Sequence, residues 1–211
     1  MNEVLSQQFI ERIVSEVTQR VFVKIEASGR HVHLSRDDVE KLFGPGYQLT
    51  KTKELSQPGQ FVCKEKVTVT GPKGSIAKVA VLGPERKETQ VEISMTDALA
   101  LGIPPVVRQS GDTKDTPGAV LSNGDQTIRL LQGVIIAKRH IHLQPDDAKR
   151  FGVSDGETVA IQVFGGRGVT FDEVAARVHK DFRTYAHIDY DEANACGYQK
   201  NMLGMIRKLK E

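Results

Sequence analysis

The chain has 211 residues, 39% of them hydrophobic and 27% charged, enough to bury the core of one large domain or of two small ones. Its 29 basic and 27 acidic side chains leave a formal charge of +2, too little to draw it to a phosphate backbone or an anionic lipid surface. No apolar run approaches the roughly 20 residues of a membrane span, the first residues lack the layout of a secretory signal, and two cysteines are too few for a disulfide framework. The expectation is a cytoplasmic globular protein with neither nucleic acid nor membrane as partner.

In chain order, Val4, Leu5, Phe9, Ile10, Ile13, Val14 and Val17 recur at helical spacing and predict an N-terminal helix over residues 5–18. Its apolar face packs on its own domain or docks on a partner or compartment. An apolar stretch at 21–25 leads to Arg30-His31-Val32-His33-Leu34, with Asp37-Asp38 and a short polar helix ending at Phe43-Gly44 behind it. Short β-branched runs at 67–70, 77–82, 90–93 and 127–131 read as strands, bounded by turns such as Gly71-Pro72-Lys73-Gly74, Gly83-Pro84 and Asn123-Gly124. The polar loop 109–117 reads as the most mobile segment. A second apolar stretch at 133–137 leads to Arg139-His140-Ile141-His142-Leu143, then Asp146-Asp147 and a polar helix ending at Phe151-Gly152. Further strands are expected at 159–164 and 174–178, and helices from near Thr96 and Asp191. Gly165-Gly166-Arg167-Gly168 fits a hairpin turn. Many short strands with such turns point to barrels or sandwiches.

The two Arg-His-x-His-Leu segments and their trailing aspartates lie 109 positions apart in every matched pair. Downstream, 65–69 resembles 157–161, and Glu92-Ile93 aligns with His187-Ile188. The chain is therefore an internal duplication.

His-x-His on a strand puts both imidazoles on one face, their Cα atoms roughly 6–7 Å apart, close enough to chelate one metal. A catalytic zinc takes three protein ligands, and the duplication nominates the third in each half. The candidate sets are His31, His33, Glu92 and His140, His142, His187. His179, the sixth histidine, has no duplicate and reads as exposed. Arg86, in the tight loop leading to Glu92, is a candidate to hold a phosphate bidentately, and Arg177 is a weaker one in a strand. Cys63 and Cys196 read as small buried hydrophobes, and no P-loop, dinucleotide or nucleophile-elbow fingerprint is present.

Ser28-x-Arg30-His31-Val32-His33-Leu34-Ser35, Gly83-Pro84-x-Arg86 through Thr89-Gln90-Val91-Glu92-Ile93-Ser94, Arg108-x-Ser110-Gly111-Asp112, Lys138-Arg139-His140-Ile141-His142 and Ala186-His187-Ile188-Asp189 occur in that order. Together they resemble the PduL-type phosphate propanoyltransferases (phosphotransacylases) of bacterial microcompartments. The resemblance implies a mainly β fold of two small antiparallel barrels with the active site at their interface. The implied domains are residues 30–137 and residues 20–29 plus 138–211, with an N-terminal helix over 1–19. It also implies two divalent metals, zinc being the expected ion, with coenzyme A as substrate and product. Arg86 matches the phosphate-contacting arginine, and Gln57, Gln60, Gln90, Ser110 and Arg177 match polar residues around the substrates. The implied reaction, tied to propanediol degradation, is acyl-CoA plus phosphate to acyl phosphate plus CoA by direct phosphate attack. A homo-oligomer, a location inside a microcompartment, and shell or cargo contacts through the N-terminal helix stay open. Acetyl and propanoyl differ by one methylene and are not separated by sequence. The alternatives are a zinc-dependent thioester hydrolase and a metal-binding sensor or scaffold without catalysis.

Overall fold

A computed structural model of the chain describes residues 6–209. In chain order it contains α1 (Gln7–Val21), β1 (Val23–Ala27), β2 (His31–His33), α2 (Arg36–Phe43), β3 (Lys51–Glu54) and β4 (Phe61–Thr70). There follow β5 (Ser75–Gly83), β6 (Gln90–Glu92), α3 (Met95–Leu101), β7 (Val107–Arg108), β8 (Ala119–Asn123) and β9 (Gln126–Leu130). The last part holds β10 (Val134–Ala137), β11 (His140–Leu143), α4 (Pro145–Phe151), β12 (Thr158–Val163), β13 (Val169–Val178), β14 (Tyr185–Ile188), α5 (Tyr190–Cys196) and β15 (Leu203–Lys208). The described residues divide into two compact units: residues 27–138 with 188–194, here the sheet unit, and the remainder, here the barrel unit.

In the sheet unit the strands run in the order β7-β10-β6-β2-β5-β4-β8-β9, with β3 added beside β4. Its core is built from alternate residues of the central strands, Val32 and Leu34, Val67 and Val69, Val79 and Val81, Val91 and Ile93, closed by Val39 and Leu42 of α2. Each such side chain contributes roughly 1.5–3 kcal/mol by burial. Helix starts follow from side-chain caps. Ser35 Oγ accepts the Asp38 N–H at 3.2 Å, and Ser94 with Asp97 forms a reciprocal capping box on α3.

The barrel unit closes in the order β1-β14-β11-β13-β12-β15, with β15 returning to β1 through Val23↔Gly204. Closure removes the unpaired sheet edges. Gly204 is needed there: a Cβ would stand 2.7 Å from Ile161 and 2.8 Å from Ile25. The two-barrel expectation is met, as a closed barrel and a half-barrel, and the pairing is mixed: β2 with β5 and β11 with β13 run parallel.

The duplication is structural as well. β2 lies between parallel β5 and antiparallel β6, and β11 between parallel β13 and antiparallel β14. In both hairpins two residues oppose one, and the bulge contains a non-glycine residue in the left-handed region: Lys78 (φ 60°) and Glu173 (φ 56°). One exchange breaks the simple halves. β10, which leads into β11, pairs with β6 of the sheet unit, while β1, which leads into β2, belongs to the barrel.

Strands β3, β8 and β15 were not expected. β3 reads Lys-Thr-Lys-Glu with every residue exposed, so it carries no apolar alternation to detect. The loop 109–117 is tied down where mobility was expected. Gly111 N–H bonds Gln90 Oε1 at 2.7 Å, Thr113 Oγ1 bonds Glu88 Oε2 at 3.0 Å, and Gly133 N–H bonds Thr116 Oγ1 at 2.9 Å.

Because left-handed backbone costs an L-residue about 1–2 kcal/mol, and glycine's extra entropy takes back part of that gain, Lys78→Gly and Glu173→Gly should each stabilise the protein by about 0.5–1 kcal/mol in urea unfolding.

Candidate active site

Alternation along β2 sends Val32 and Leu34 into the core and His31 and His33 to the opposite face, where both remain buried. Antiparallel pairing with β6 sets Glu92 directly across from His31. One ligand atom from each of His31, His33 and Glu92 lies within 4.8 Å of the others. The His31 ring approaches the Gly29 carbonyl at 2.8 Å through Nδ1. A carbonyl only accepts, so Nδ1 carries the hydrogen and Nε2 faces Glu92 Oε2 at 3.5 Å. Burial lowers the His31 pKa, but the Glu92 carboxylate beside it outweighs that and raises it. His33 Nδ1 is buried with no hydrogen-bond partner.

Leaving such an atom unsatisfied costs about 1–3 kcal/mol. A cation between two imidazole nitrogens and a carboxylate removes that cost, and the donor set fits zinc. The His31 contact to a carbonyl is also the outer bond typical of metal-bound histidine. Burial lowers the His33 pKa to about 3, reinforced by the charges of His31 and Arg86. Burial opposes ionisation of Glu92, but His31 beside it outweighs that and holds the carboxyl well below the usual range.

Glu92 is held in turn. Its Oε1 accepts from Gln90 Nε2 at 2.6 Å and from Ser110 Oγ at 2.7 Å. Ser110 Oγ accepts from Arg86 Nη1 at 3.1 Å, so a hydrogen-bonded chain runs from the guanidinium to the carboxylate. The Arg86 loop is fixed by its backbone, whose N–H donates to the Leu34 carbonyl at 2.9 Å at the end of β2. His33, Pro58, Gly59, Gln60, Gly83, Pro84 and Arg86 line a cleft of about 290 Å³. Gln60 thus reaches the cleft, on a turn closed by its N–H to the Gln57 carbonyl at 3.2 Å. Gln57 is buried beneath that turn. Gln90 is 1% exposed and spends its amide on Glu92, Ser110 and Gly111.

The barrel unit repeats the arrangement. His140 and His142 share a face of β11, and β14 sets His187 across from His140. The ring centroids lie 4.7–5.0 Å apart, and one ligand atom from each falls within 4.8 Å of the others. His142 Nδ1 is buried without a hydrogen-bond partner, the same indication of a cation as His33. Burial, then the charges of His140 and Arg177, lower the His142 pKa to about 3. Arg177 stands across from His142 on β13, its guanidinium 5.9 Å from the Phe182 ring, which itself lies 4.3 Å from the His142 ring. His179 is exposed and directly follows β13.

Residues not singled out in the sequence also contribute. Glu26 Oε2 lies 3.4 Å from His187 Nδ1 and orients that ring. Glu26 and Phe182 belong to no motif; pairing of β1 beside β14 brings Glu26 to His187, and the turn between β13 and β14 brings Phe182 to His142.

A family model described as phosphate propanoyltransferase matches residues 24–199. The phosphate propanoyltransferase of Clostridioides difficile strain 630 is 54% identical, covering 98% of this chain and 99% of that protein. That of Enterococcus faecalis is also 54% identical, over 99% of this chain and 97% of its own length. The one from Thermotoga maritima is 56% identical over 81% of this chain and 82% of that protein. These matches make the protein an enzyme of the acyltransferase class. It belongs to the phosphate propanoyltransferase family.

The histidine environments carry a pH consequence. The unfolded chain takes up a proton on His142 below about pH 6.5, and the folded metal-free chain does so only near pH 3. Protons bound only by the unfolded state favour unfolding, so this group removes stability as pH falls from about 6.5 to about 3. In chelator-treated protein His142→Gln should therefore flatten the loss of urea stability across that range relative to wild type.

Proposed function

We propose that the protein interconverts a short-chain acyl-CoA and phosphate with acyl phosphate and free CoA, using propanoyl-CoA and accepting acetyl-CoA. Each histidine cluster is read as the seat of one divalent cation, zinc by its donors, held by His31, His33 and Glu92 in one case and His140, His142 and His187 in the other. When bound, such a cation supplies a Lewis acid and a counter-charge that favours a thiolate over a thiol.

The chain's own residues do the rest. Arg86, in the cleft wall beside His33, binds phosphate through its guanidinium fork. Gln60, in the same wall, offers an amide to the phosphate or the acyl oxygen. A phosphate oxygen attacks the thioester carbonyl carbon, the C–S bond breaks, and the sulfur leaves with its electron pair. Phosphate is already an anion, so no general base is needed. The obstacle is holding two negatively charged reactants together, which positioning can lower by up to about 7–11 kcal/mol. Gln90 and Ser110 act as positioning residues, through Glu92 and Arg86 respectively. Arg177 serves the second cluster as a cation beside His142. A covalent acyl-enzyme has no candidate among the cysteines. Both are buried, and burial pushes the Cys63 thiol up to about 11.

The single observation that carries this reading is the chain Arg86–Ser110–Glu92, which couples an anion-binding guanidinium to a converging metal-type donor set in a protein of this family. On α1, Phe9, Ile13, Val14 and Val17 are all exposed, which supports the docking role of that helix over packing on its own domain, with a microcompartment as the destination.

Thiol release from propanoyl- and acetyl-CoA should require phosphate and yield acyl phosphate trapped as hydroxamate. Free acid instead would identify a hydrolase, and saturable metal binding without turnover a sensor. Arg86→Ala should raise the phosphate KM at least tenfold with metal content unchanged, and unaltered phosphate kinetics would remove Arg86 from its role. His140→Ala should cost one metal per chain by elemental analysis, whereas two retained metals would refute the second site.

A further inference from the structure

Thr89 lies three residues before Glu92, and Thr184 lies three before His187. Thr89 Oγ1 accepts the Ser35 backbone N–H at 2.9 Å and donates to Asp38 Oδ2 at 2.6 Å. In the barrel unit Thr184 Oγ1 accepts the Gln144 backbone N–H at 3.3 Å and donates to Asp147 Oδ2. Ser35 and Gln144 are the N-caps of α2 and α4, the helices that follow the two histidine strands, and the aspartates are the third residues of those helices. Each aspartate also pairs with a base one turn on. Lys41 Nζ is 3.1 Å from Asp38 Oδ1, and Arg150 Nη2 is 2.7 Å from Asp147 Oδ1. The same hydroxyl, carboxylate and cation recur at matching places in both halves, although the N-cap and the base differ in kind.

The position of this contact gives it a role. The β2–β6 ladder consists of three residue pairs, His31↔Glu92, Val32↔Val91 and His33↔Gln90. The β11–β14 ladder likewise has three, His140↔His187, Ile141↔Ala186 and His142↔Tyr185. Burial of Val91 and Ala186 favours one register, and a slip of one residue would turn the third donor of each cluster to the opposite face. Thr89 and Thr184 are the first residues beyond the ladder, where the partner strand turns into helix. A hydroxyl accepts from the helix N-cap backbone and donates to the helix carboxylate at once, which no apolar side chain can do.

We propose that Thr89–Asp38 and Thr184–Asp147 are duplicated register clasps, each positioning the third ligand, Glu92 or His187, against its own histidine pair. The proposal rests on reading the two clusters as metal centres. The clasps act through strand register, as positioning residues.

The test uses the full chain, stripped with chelator and titrated with Zn²⁺ against a chromophoric chelator, the two sites being told apart by His31→Ala and His140→Ala. Thr89→Val should weaken the His31/His33/Glu92 site about tenfold, the size typical of lost outer contacts at metal sites, and leave the other unchanged. Thr184→Val should do the reverse, and Thr→Ser at either place should restore wild-type affinity. In metal-free protein, Thr89→Val should also speed amide exchange at Glu92, the residue paired with His31, a readout independent of any ion. Thr89→Ala and Thr184→Ala give the same comparisons without the bulk of valine. Unchanged Zn²⁺ affinity in the valine and alanine variants overturns the proposal, as does equal weakening at both sites or failure of serine to restore binding. A wild-type chain that binds no Zn²⁺ overturns the metal reading itself, which is distinguishable because the clasp variants then differ only in amide exchange.

Discussion

Each cluster depends on the same constraint: two antiparallel strands held so that the first histidine of its pair faces a third donor across the ladder. His31 faces Glu92 and His140 faces His187 by the same rule, and neighbouring parallel strands set Ala80 and Ala175 behind them. The arrangement places polar groups inside the protein, where each one without a partner costs stability. The opposite faces of the same strands offset this, since Val32, Leu34, Ile141 and Leu143 are all completely buried. Core and cluster are therefore two sides of one short strand, and disturbing either disturbs both.

Around the first cluster, polar residues divide the work by depth. Arg86 and Gln60 reach the cleft, while Gln90 and Ser110 lie beneath it and spend their hydrogen bonds on Glu92, on the loop through Gly111 and on each other. A change at Gln90 would reach the cleft through the orientation of Glu92 and, by way of Ser110, of Arg86. The second cluster has its own outer carboxylate in Glu26, so both histidine sets are braced from behind, one by a backbone carbonyl and one by a side chain.

Much of this was legible because duplication turns one sequence into its own comparison. Spacing alone nominated His31, His33, His140 and His142, and alignment of the halves nominated Glu92 and His187, which the ladders then set opposite the pairs. What could not be read was anything created by pairing between distant strands. Glu26 gains meaning from β14, about 160 residues away in sequence, and Phe182 from its ring contact with His142. The loop 109–117 looked free because its polar residues signal a turn, while the partners that bind it, Gln90, Glu88 and Gly133, are local to nothing in the sequence. β3 escaped notice for the opposite reason, being charged on both faces.

The exchanged lead-in strands shape how the chain is made. β10 is complete by residue 137, so most of the sheet unit can assemble early, whereas β1 leaves the ribosome first and must wait for β14 and β15. Throughout that interval Val23 and Ile25 sit on a strand with nothing beside it, an invitation to sticking between nascent chains. Lys24 points outward between them and Glu26 follows, and these alternating charges act as gatekeepers until translation delivers the missing neighbours.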